Sequence, residues 1–412
     1  MQLQKHSEKE LFGRYYTNKM VCEVLVKAMN LSMPKLVIDL GVGCGALSTA
    51  AAQTWISTEF ITVDIDNDMN NAINRINSTH HVCDVLNSQL HKKIGLSLGT
   101  VDGAICNPPY TRPAWRSDFV QILEEAGLSK ILESVPFVGA DILFVAQNLR
   151  FLRSNGRLGL ILPDGLISGE RFIEFRKSLL INHSVDQVIE LPRRAFEKTD
   201  AKAHIVILTK NGHPKEKVAI NRLELDGTLS KTIFIPRINA SQRMDYTYAE
   251  NQLENLGETK FKISDVVVEL ARGQLSSTEV KISPIKIFHS TDFPEIKSQL
   301  IPKVPCEFVL TKSDLNNLKT AIAKKGDILI CRVGRNLEKK ICYVNKGYVA
   351  LSDCVFRLQV KPKYVKDVLF FFTSSVGEKT LNALSHGVGA KHLSKQGLLN
   401  ISVKTKNIKS KR

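Results

Sequence analysis

Short apolar runs and helix-spaced apolar positions alternate through the first 210 residues. Leu36-Val37-Ile38, Phe60 to Val63, His81-Val82-Cys83, Val101 to Cys106, Gly159 to Leu162, Val185 to Leu191 and His204 to Thr209 each predict a strand. Between them, Met20, Val21, Val24, Leu25 and Met29 share one face of a predicted helix within 10–29. Further helices are predicted over about 46–54, 69–77, 141–154 and 172–180. Apolar strands alternating with helices imply a mostly parallel sheet covered on both faces, an α/β fold. The rhythm changes after Lys210. Val218–Leu223 and Thr232–Pro236 predict strands with no helix between them, and the polar stretch 239–258 predicts a linker or crossover. Strands follow at 327–333, 340–344 and 355–360, with one helix over 365–384, so a second domain of α+β type is expected. The predicted division is 1–240 and 241–412.

Composition sets broad limits. The chain has 412 residues, enough for two or three domains, with 43% hydrophobic and 24% charged residues, as in soluble proteins. No apolar run reaches the ~18 residues of a membrane span. Residues 1–10 are polar and lack the apolar centre of a signal peptide. None of the eight cysteines forms a C-x-x-C pair, so neither a zinc site nor a redox motif is indicated, and reduced thiols in the cytoplasm are expected. His289, His386 and His392 have no ligand spacing and read as structural.

Charge changes the picture more. Residues 1–210 hold 23 Lys+Arg against 22 Asp+Glu, whereas residues 211–412 hold 34 against 19. Removing the basic end, Lys404 to Arg412, still leaves an excess of ten in that half. A neutral domain joined to a basic one points to a polyanionic partner.

Candidate chemistry lies at the ends of the first four strands, where an open α/β sheet keeps its ligands. Asp39-Leu40-Gly41-Val42-Gly43-Cys44-Gly45 follows the first strand and opens a helix. Its glycines permit a tight turn and close backbone approach to a ligand. Asp64, 23 positions after Gly41, suits ribose hydroxyls, and Asp84 suits an adenine amino group. Asn107-Pro108-Pro109-Tyr110 follows the fourth strand. The Asn107 side-chain oxygen and the Pro108 carbonyl can accept both hydrogens of an exocyclic amino group, while Tyr110 stacks on its ring. A plain Pro-Pro turn is the bland alternative for this tetrapeptide.

The order of glycine turn, second-strand acid, third-strand Asp and NPPY resembles class I S-adenosylmethionine-dependent methyltransferases that modify amino groups. Phe12 to Thr17 resembles the element that precedes the cofactor domain in γ-class DNA adenine-N6 methyltransferases, although Asn18 replaces the usual Pro. Leu162-Pro163-Asp164-Gly165-Leu166, Phe175-Arg176-Lys177 and Glu190-Leu191-Pro192 resemble that family's later core. The resemblance implies S-adenosylmethionine as cofactor, held by Thr17, Asp39, Gly41, Gly43, Asp64, Asp84 and Asn107. It also implies catalysis by Asn107, Pro108 and Tyr110 on a flipped adenine in double-stranded DNA, with Phe196 against the second face of the base. The helical spacing of Phe144 fits core packing better than a place in the cofactor pocket.

In the second half, Gly326-Asp327-Ile328-Leu329-Ile330 with Arg332-Val333-Gly334 resembles target-recognition domains of type I specificity subunits. Ile263 to Val266, Gly387 to Leu393 and Leu398 to Ile401 fit the same comparison. That implies DNA contacts from Arg272, Arg332, Arg335, Lys339 and Lys391, with a cognate restriction endonuclease as a candidate partner. Methylation of an RNA base or a protein glutamine amide is the enzymatic alternative. A non-catalytic DNA-binding specificity protein is the alternative from another class, and the complete NPPY with Asp39, Asp64 and Asp84 argues against it.

Overall fold

The computed structural model describes residues 18–66, 77–193, 195, 202–254, 260–295, 302–312, 315, 318–387 and 390–403. It divides into two compact units, Met1–Ala249 and Glu250–Arg412.

The first unit is built on one nine-stranded sheet in the order β3-β2-β1-β4-β5-β7-β6-β8-β9. The strands are β1 Leu36–Leu40, β2 Glu59–Asp64, β3 Ser78–Val82, β4 Val101–Cys106, β5 Leu152–Pro163, β6 Ser184–Glu190, β7 Ala203–Thr209, β8 Lys217–Arg222 and β9 Ile233–Pro236. Strands β3, β2, β1, β4 and β5 run parallel, while β7 is antiparallel to both β5 and β6. The α/β expectation therefore holds, with β7 and β9 as the antiparallel members.

Alternation within the strands explains the two covered faces. Ile38, Leu40, Ala104 and Cys106 face one apolar core. Val37 and Ile105 face another. Helices α1 (Lys19–Met29) and α2 (Ala46–Thr54) contribute Leu25, Met29, Leu47 and Ala51 to the second core. Helices α3 (Asp118–Glu125), α4 (Ala140–Phe151) and α6 (Ile173–Asn182) serve the first, and α5 (Asp164–Ser168) caps β5. Helix α1 starts on Asn18, whose side-chain oxygen accepts the Met20 N–H at 3.0 Å, so a first-turn donor is satisfied.

Two expectations need correction. The helix expected over 141–154 ends at Phe151, and β5 begins at Leu152, seven residues before the expected strand. A register shift between Val101 and Gly103 lets the early part of β5 pair with β4. The stretch 239–258 is not a linker over its described part. It carries α7 (Arg237–Gln242) and α8 (Tyr246–Glu254), with Ala240 and Met244 fully buried. The two strands expected after Lys210 with no helix between them are β8 and β9, and they extend the same sheet. The helix expected over 69–77 lies outside the described residues except for Asn77.

The second unit centres on a four-stranded antiparallel sheet, β11-β17-β13-β15. Its strands are β11 Val267–Arg272, β13 Ile328–Cys331, β15 Ile341–Tyr343 and β17 Val355–Val360. Short pairs flank it: β10 Phe261–Lys262 with β19 Ser402–Val403, β12 Ile322–Lys324 with β16 Tyr348–Ala350, and β14 Val333–Gly334 with β18 Lys391–His392. The single helix expected over 365–384 is two, Val365–Thr373 and Ser375–Leu384. Ser374 sits between them in extended backbone and its hydroxyl accepts the Gly377 N–H at 3.2 Å, restarting the helix. No helix among the described residues is long and apolar enough to cross a membrane.

Candidate active site at the ends of strands β1 to β4

The strand order reverses at β1, which lies between β2 and β4. Such a switch point opens a crevice at the carboxyl ends of the strands. Four of the predicted positions lie on these strands or just past their ends: Asp39 within β1, Asp64 closing β2, Asp84 two residues beyond β3 and Asn107 directly after β4.

The glycine turn hugs the end of β2. The N–H groups of Gly41 and Val42 donate to the Val63 carbonyl at 2.7 and 3.2 Å. Gly41 has φ +77°, and a Cβ there would lie 2.8 Å from Phe144 Cε1. Phe144, 6% exposed, therefore belongs to the core and also presses on this turn. Gly43 has φ +52° and open space where a Cβ would point. The turn thus exposes backbone to a ligand at Gly43 and packs tightly at Gly41.

Asp64 binds the turn itself. One carboxylate oxygen accepts the Gly43 N–H at 2.9 Å and the other accepts the Asp66 N–H at 3.0 Å. The acid expected to meet ribose also fixes the turn that would hold the rest of the cofactor. Each oxygen keeps a lone-pair direction beyond its single N–H donor.

Asp39 is fully enclosed at 1% exposure. Its Oδ2 accepts from the Ser48 hydroxyl at 2.5 Å, and its Oδ1 has no hydrogen-bond partner. Burial pushes its pKa up to about 7; the Ser48 hydrogen bond opposes that rise and the neighbouring Asp64 charge adds to it. A buried acceptor with an unused oxygen fits a ligand that brings a donor or a positive charge. Ser48, on the first turn of α2, was missed in the sequence, where it looks like one small residue among several.

Asp84 is held differently from the expectation. Oδ1 accepts the Leu86 N–H at 2.8 Å, and Oδ2 accepts from Arg116 Nη1 at 2.9 Å. Arg116 carried no assignment in the sequence, because Arg112-Pro113-Ala114-Trp115-Arg116 reads as an ordinary polar loop.

The NPPY loop is anchored to the neighbouring strand. The Tyr110 hydroxyl shares its proton between the Ile161 carbonyl at 3.2 Å and Asn107 Oδ1 at 3.4 Å. Pro108 is buried, while Asn107 and Tyr110 are partly exposed. Thr17 and Phe196 lie outside the described residues.

A buried ionic cluster lies past the ends of β5 and β6. Lys202 Nζ is 3.2 Å from Glu190, 3.5 Å from Asp164 and 3.9 Å from Asp245. Burial alone would raise the Glu190 pKa, but Lys202, His204 and Thr247 outweigh it and hold the carboxyl well below the ordinary range. Glu190 accepts both the N–H and the hydroxyl of Thr247.

A family model for N-6 DNA methylases matches residues 1–262. The chain belongs to the N-6 DNA methylase family. The cofactor of that family is S-adenosylmethionine. The unpartnered Asp39 oxygen, the open backbone at Gly43 and the acid at Asp64 fit that cofactor. Comparison with curated proteins gives no match. Among solved structures, the chain is similar to a type I restriction-modification methyltransferase subunit from Streptococcus thermophilus (19% identity, 59% of this chain, 53% of that one, TM-score 0.44). It is also similar to the type IIG restriction endonuclease BpuSI (13% identity, 95% and 59%, TM-score 0.49) and to the M protein of the type I enzyme EcoKI (12% identity, 66% and 60%, TM-score 0.40). The chain thus spans between half and two thirds of the length of each.

In the second unit, the GDIL element is largely structural. Asp327 is 1% exposed and its carboxylate accepts the Lys324 N–H at 2.9 Å, closing the turn before β13. The five basic residues expected to meet DNA divide into two groups. Arg332 is tied to the Asp353 carbonyl at 2.7 Å, and Lys391 to Asn382 at 2.6 Å, each with under a fifth of its side chain exposed. Arg272 and Arg335 are exposed, and Lys339 is 63% exposed beside Glu378. Pairing of Gly334 with Lys391 and of the Leu393 N–H with the Arg332 carbonyl brings Arg332, Arg335 and Lys391 to the β14–β18 pair. Among the described residues no grouping of three or more His, Cys, Asp or Glu could hold a metal ion.

Proposed function

We propose that this N-6 DNA methylase transfers a methyl group from S-adenosylmethionine to N6 of an adenine flipped out of duplex DNA, within a restriction-modification or related system of the cytoplasm. The observation that carries this reading is the NPPY loop at the end of β4, next to the glycine turn on β1, with Tyr110 pinned to Ile161 and Asn107 partly exposed. An adenine stacked in a duplex cannot reach such a recess, so the base leaves the stack before reaction.

The cofactor supplies an electrophilic methyl group on a sulfonium. Asn107 Oδ1 and the Pro108 carbonyl accept from the two N6 hydrogens, which fixes the amino group and draws its lone pair out of conjugation with the ring. With N6 so held, its lone pair would be free to take the methyl group as the sulfonium–methyl bond breaks, with the neutral thioether leaving and the N6 proton passing to solvent. Catalysis is placement and electrostatics, with no general base needed before attack. Tyr110 stacks on one face of the base and Phe196 on the other. Asp39, Gly41, Gly43 and Asp64 hold the cofactor together with Thr17, Asp84 and Asn107. The second unit forms the DNA target-recognition domain, with Arg272, Arg335 and Lys339 presenting exposed positive charge and Arg332 and Lys391 shaping its frame. A cognate endonuclease is the natural partner of such a protein.

The test offers labelled S-adenosylmethionine to separate pools of DNA, RNA and protein. Label in DNA is expected. Label only in RNA or in protein glutamine would replace this reading with the corresponding alternative.

A further inference from the structure

Arg116 lies six residues beyond Tyr110, in the segment that leads from the NPPY loop into α3. All three guanidinium nitrogens are engaged. Nη1 donates to Asp84 Oδ2 at 2.9 Å, Nε to Asp118 Oδ1 at 3.2 Å and Nη2 to the Leu86 carbonyl. The guanidinium carbon sits 4.6 Å from the centre of the Phe119 ring. One planar group therefore ties the residues after β3 to the segment after the NPPY loop. The side chains of Arg116 and Asp84 remain 41% and 37% exposed, so this pair adds little to folding. Its geometric consequence is larger. A fork with three fixed donor directions sets the plane of the Asp84 carboxylate in a way that a single N–H from Leu86 does not.

We infer that Arg116 is a positioning residue for cofactor recognition. It orients the Asp84 carboxylate toward the amino group of the cofactor's adenine and makes the segment after the NPPY loop part of the cofactor site. This rests on the reading of Asp84 as the acceptor for that amino group.

The test uses the full chain and two ligands that differ at that amino group. S-adenosylhomocysteine carries it, and S-inosylhomocysteine replaces it with a carbonyl oxygen, which a carboxylate repels. Calorimetric titration of the wild-type protein is expected to favour the adenosyl ligand by about tenfold or more, as for one hydrogen bond to a charged acceptor. Arg116→Ala is expected to bring that ratio down to about twofold. Arg116→Lys, which keeps one charged donor, is expected to fall between. A variant that weakens both ligands equally and keeps the ratio overturns the inference and leaves Arg116 a merely structural residue. A wild-type protein with no preference for the adenosyl ligand overturns the Asp84 reading first, and the inference with it. If Arg116→Ala does not fold, the ratio in Arg116→Lys decides by the same criterion.

Discussion

Replacing Asp39 with Asn separates the buried charge from the shape of the site. Burial lifts this carboxyl from an ordinary 3.8 to about 7, with Ser48 opposing the rise and Asp64 adding to it. The sign follows from linkage. The folded pKa lies above the unfolded one, so between 3.8 and 7 the folded protein binds more protons, and stability falls as pH rises through that window. At about 1.36 kcal/mol for each tenfold change in proton activity, the ionised carboxyl costs about 4 kcal/mol above pH 7, of which about 3 kcal/mol appears between pH 5 and pH 8. The amide introduced by Asp39→Asn is nearly isosteric with the carboxyl and has no charge to lose. Urea unfolding followed by tryptophan fluorescence is the assay, since the chain's two tryptophans, Trp55 and Trp115, both lie in the first unit. Other groups titrate in both proteins and cancel in the difference. The wild-type protein is expected to lose about 3 kcal/mol more than Asp39→Asn between pH 5 and pH 8. Parallel curves for the two proteins would refute the burial argument. At the same time Asp39→Asn should weaken S-adenosylmethionine, because the unpartnered oxygen no longer carries charge.

Lys202→Met removes the cation shared by Glu190, Asp164 and Asp245, of which Asp245 keeps its pair with Arg243. A loss of about 3 kcal/mol in unfolding free energy is expected, and a change below about 1 kcal/mol would show that the cluster relaxes or admits water. Gly41→Ala and Gly43→Ala form a contrasting pair. The methyl group added by Gly41→Ala meets Phe144 at 2.8 Å in a left-handed backbone and should cost about 2–3 kcal/mol of stability, whereas the one added by Gly43→Ala points into open space and should cost about 1 kcal/mol. Calorimetric titration should nevertheless show S-adenosylmethionine weakened in Gly43→Ala, since the added methyl group occupies the space left for the ligand.

Most of the first unit was legible because its signals are local. The apolar strands β1, β2, β4, β6 and β7 fall within a residue or two of where the pattern puts them, and the glycine turn and the NPPY loop mark two strand ends directly. What escaped depends on partners far apart in sequence. Leu152 to Gly156 has little strand character of its own and becomes β5 through pairing with β4 across a register shift. The stretch 239–258 is polar enough to read as a linker, yet Ala240, Met244 and Tyr246 find an apolar surface that only the assembled sheet creates. Arg116 meets Asp84 over 32 residues and Lys202 meets Asp164 over 38, so neither pairing leaves a periodic trace. In the second unit the GDIL motif closes a turn with Asp327 and fills the core with Ile328, Leu329 and Ile330, a structural role that the resemblance alone did not specify. Arg332 and Lys391 likewise looked free in the sequence, where the carbonyl of Asp353 and the amide of Asn382 cannot be foreseen.

The most direct test of the central claim is the identity of the methylated atom. Duplex DNA is incubated with the full chain and isotopically labelled S-adenosylmethionine, digested to nucleosides and analysed by mass spectrometry, with Asn107→Ala run in parallel. Labelled N6-methyl-2′-deoxyadenosine is expected with the wild-type chain. None is expected with Asn107→Ala, even though that variant still binds DNA. Label on cytosine, no label in DNA at all, or undiminished transfer by Asn107→Ala would contradict it.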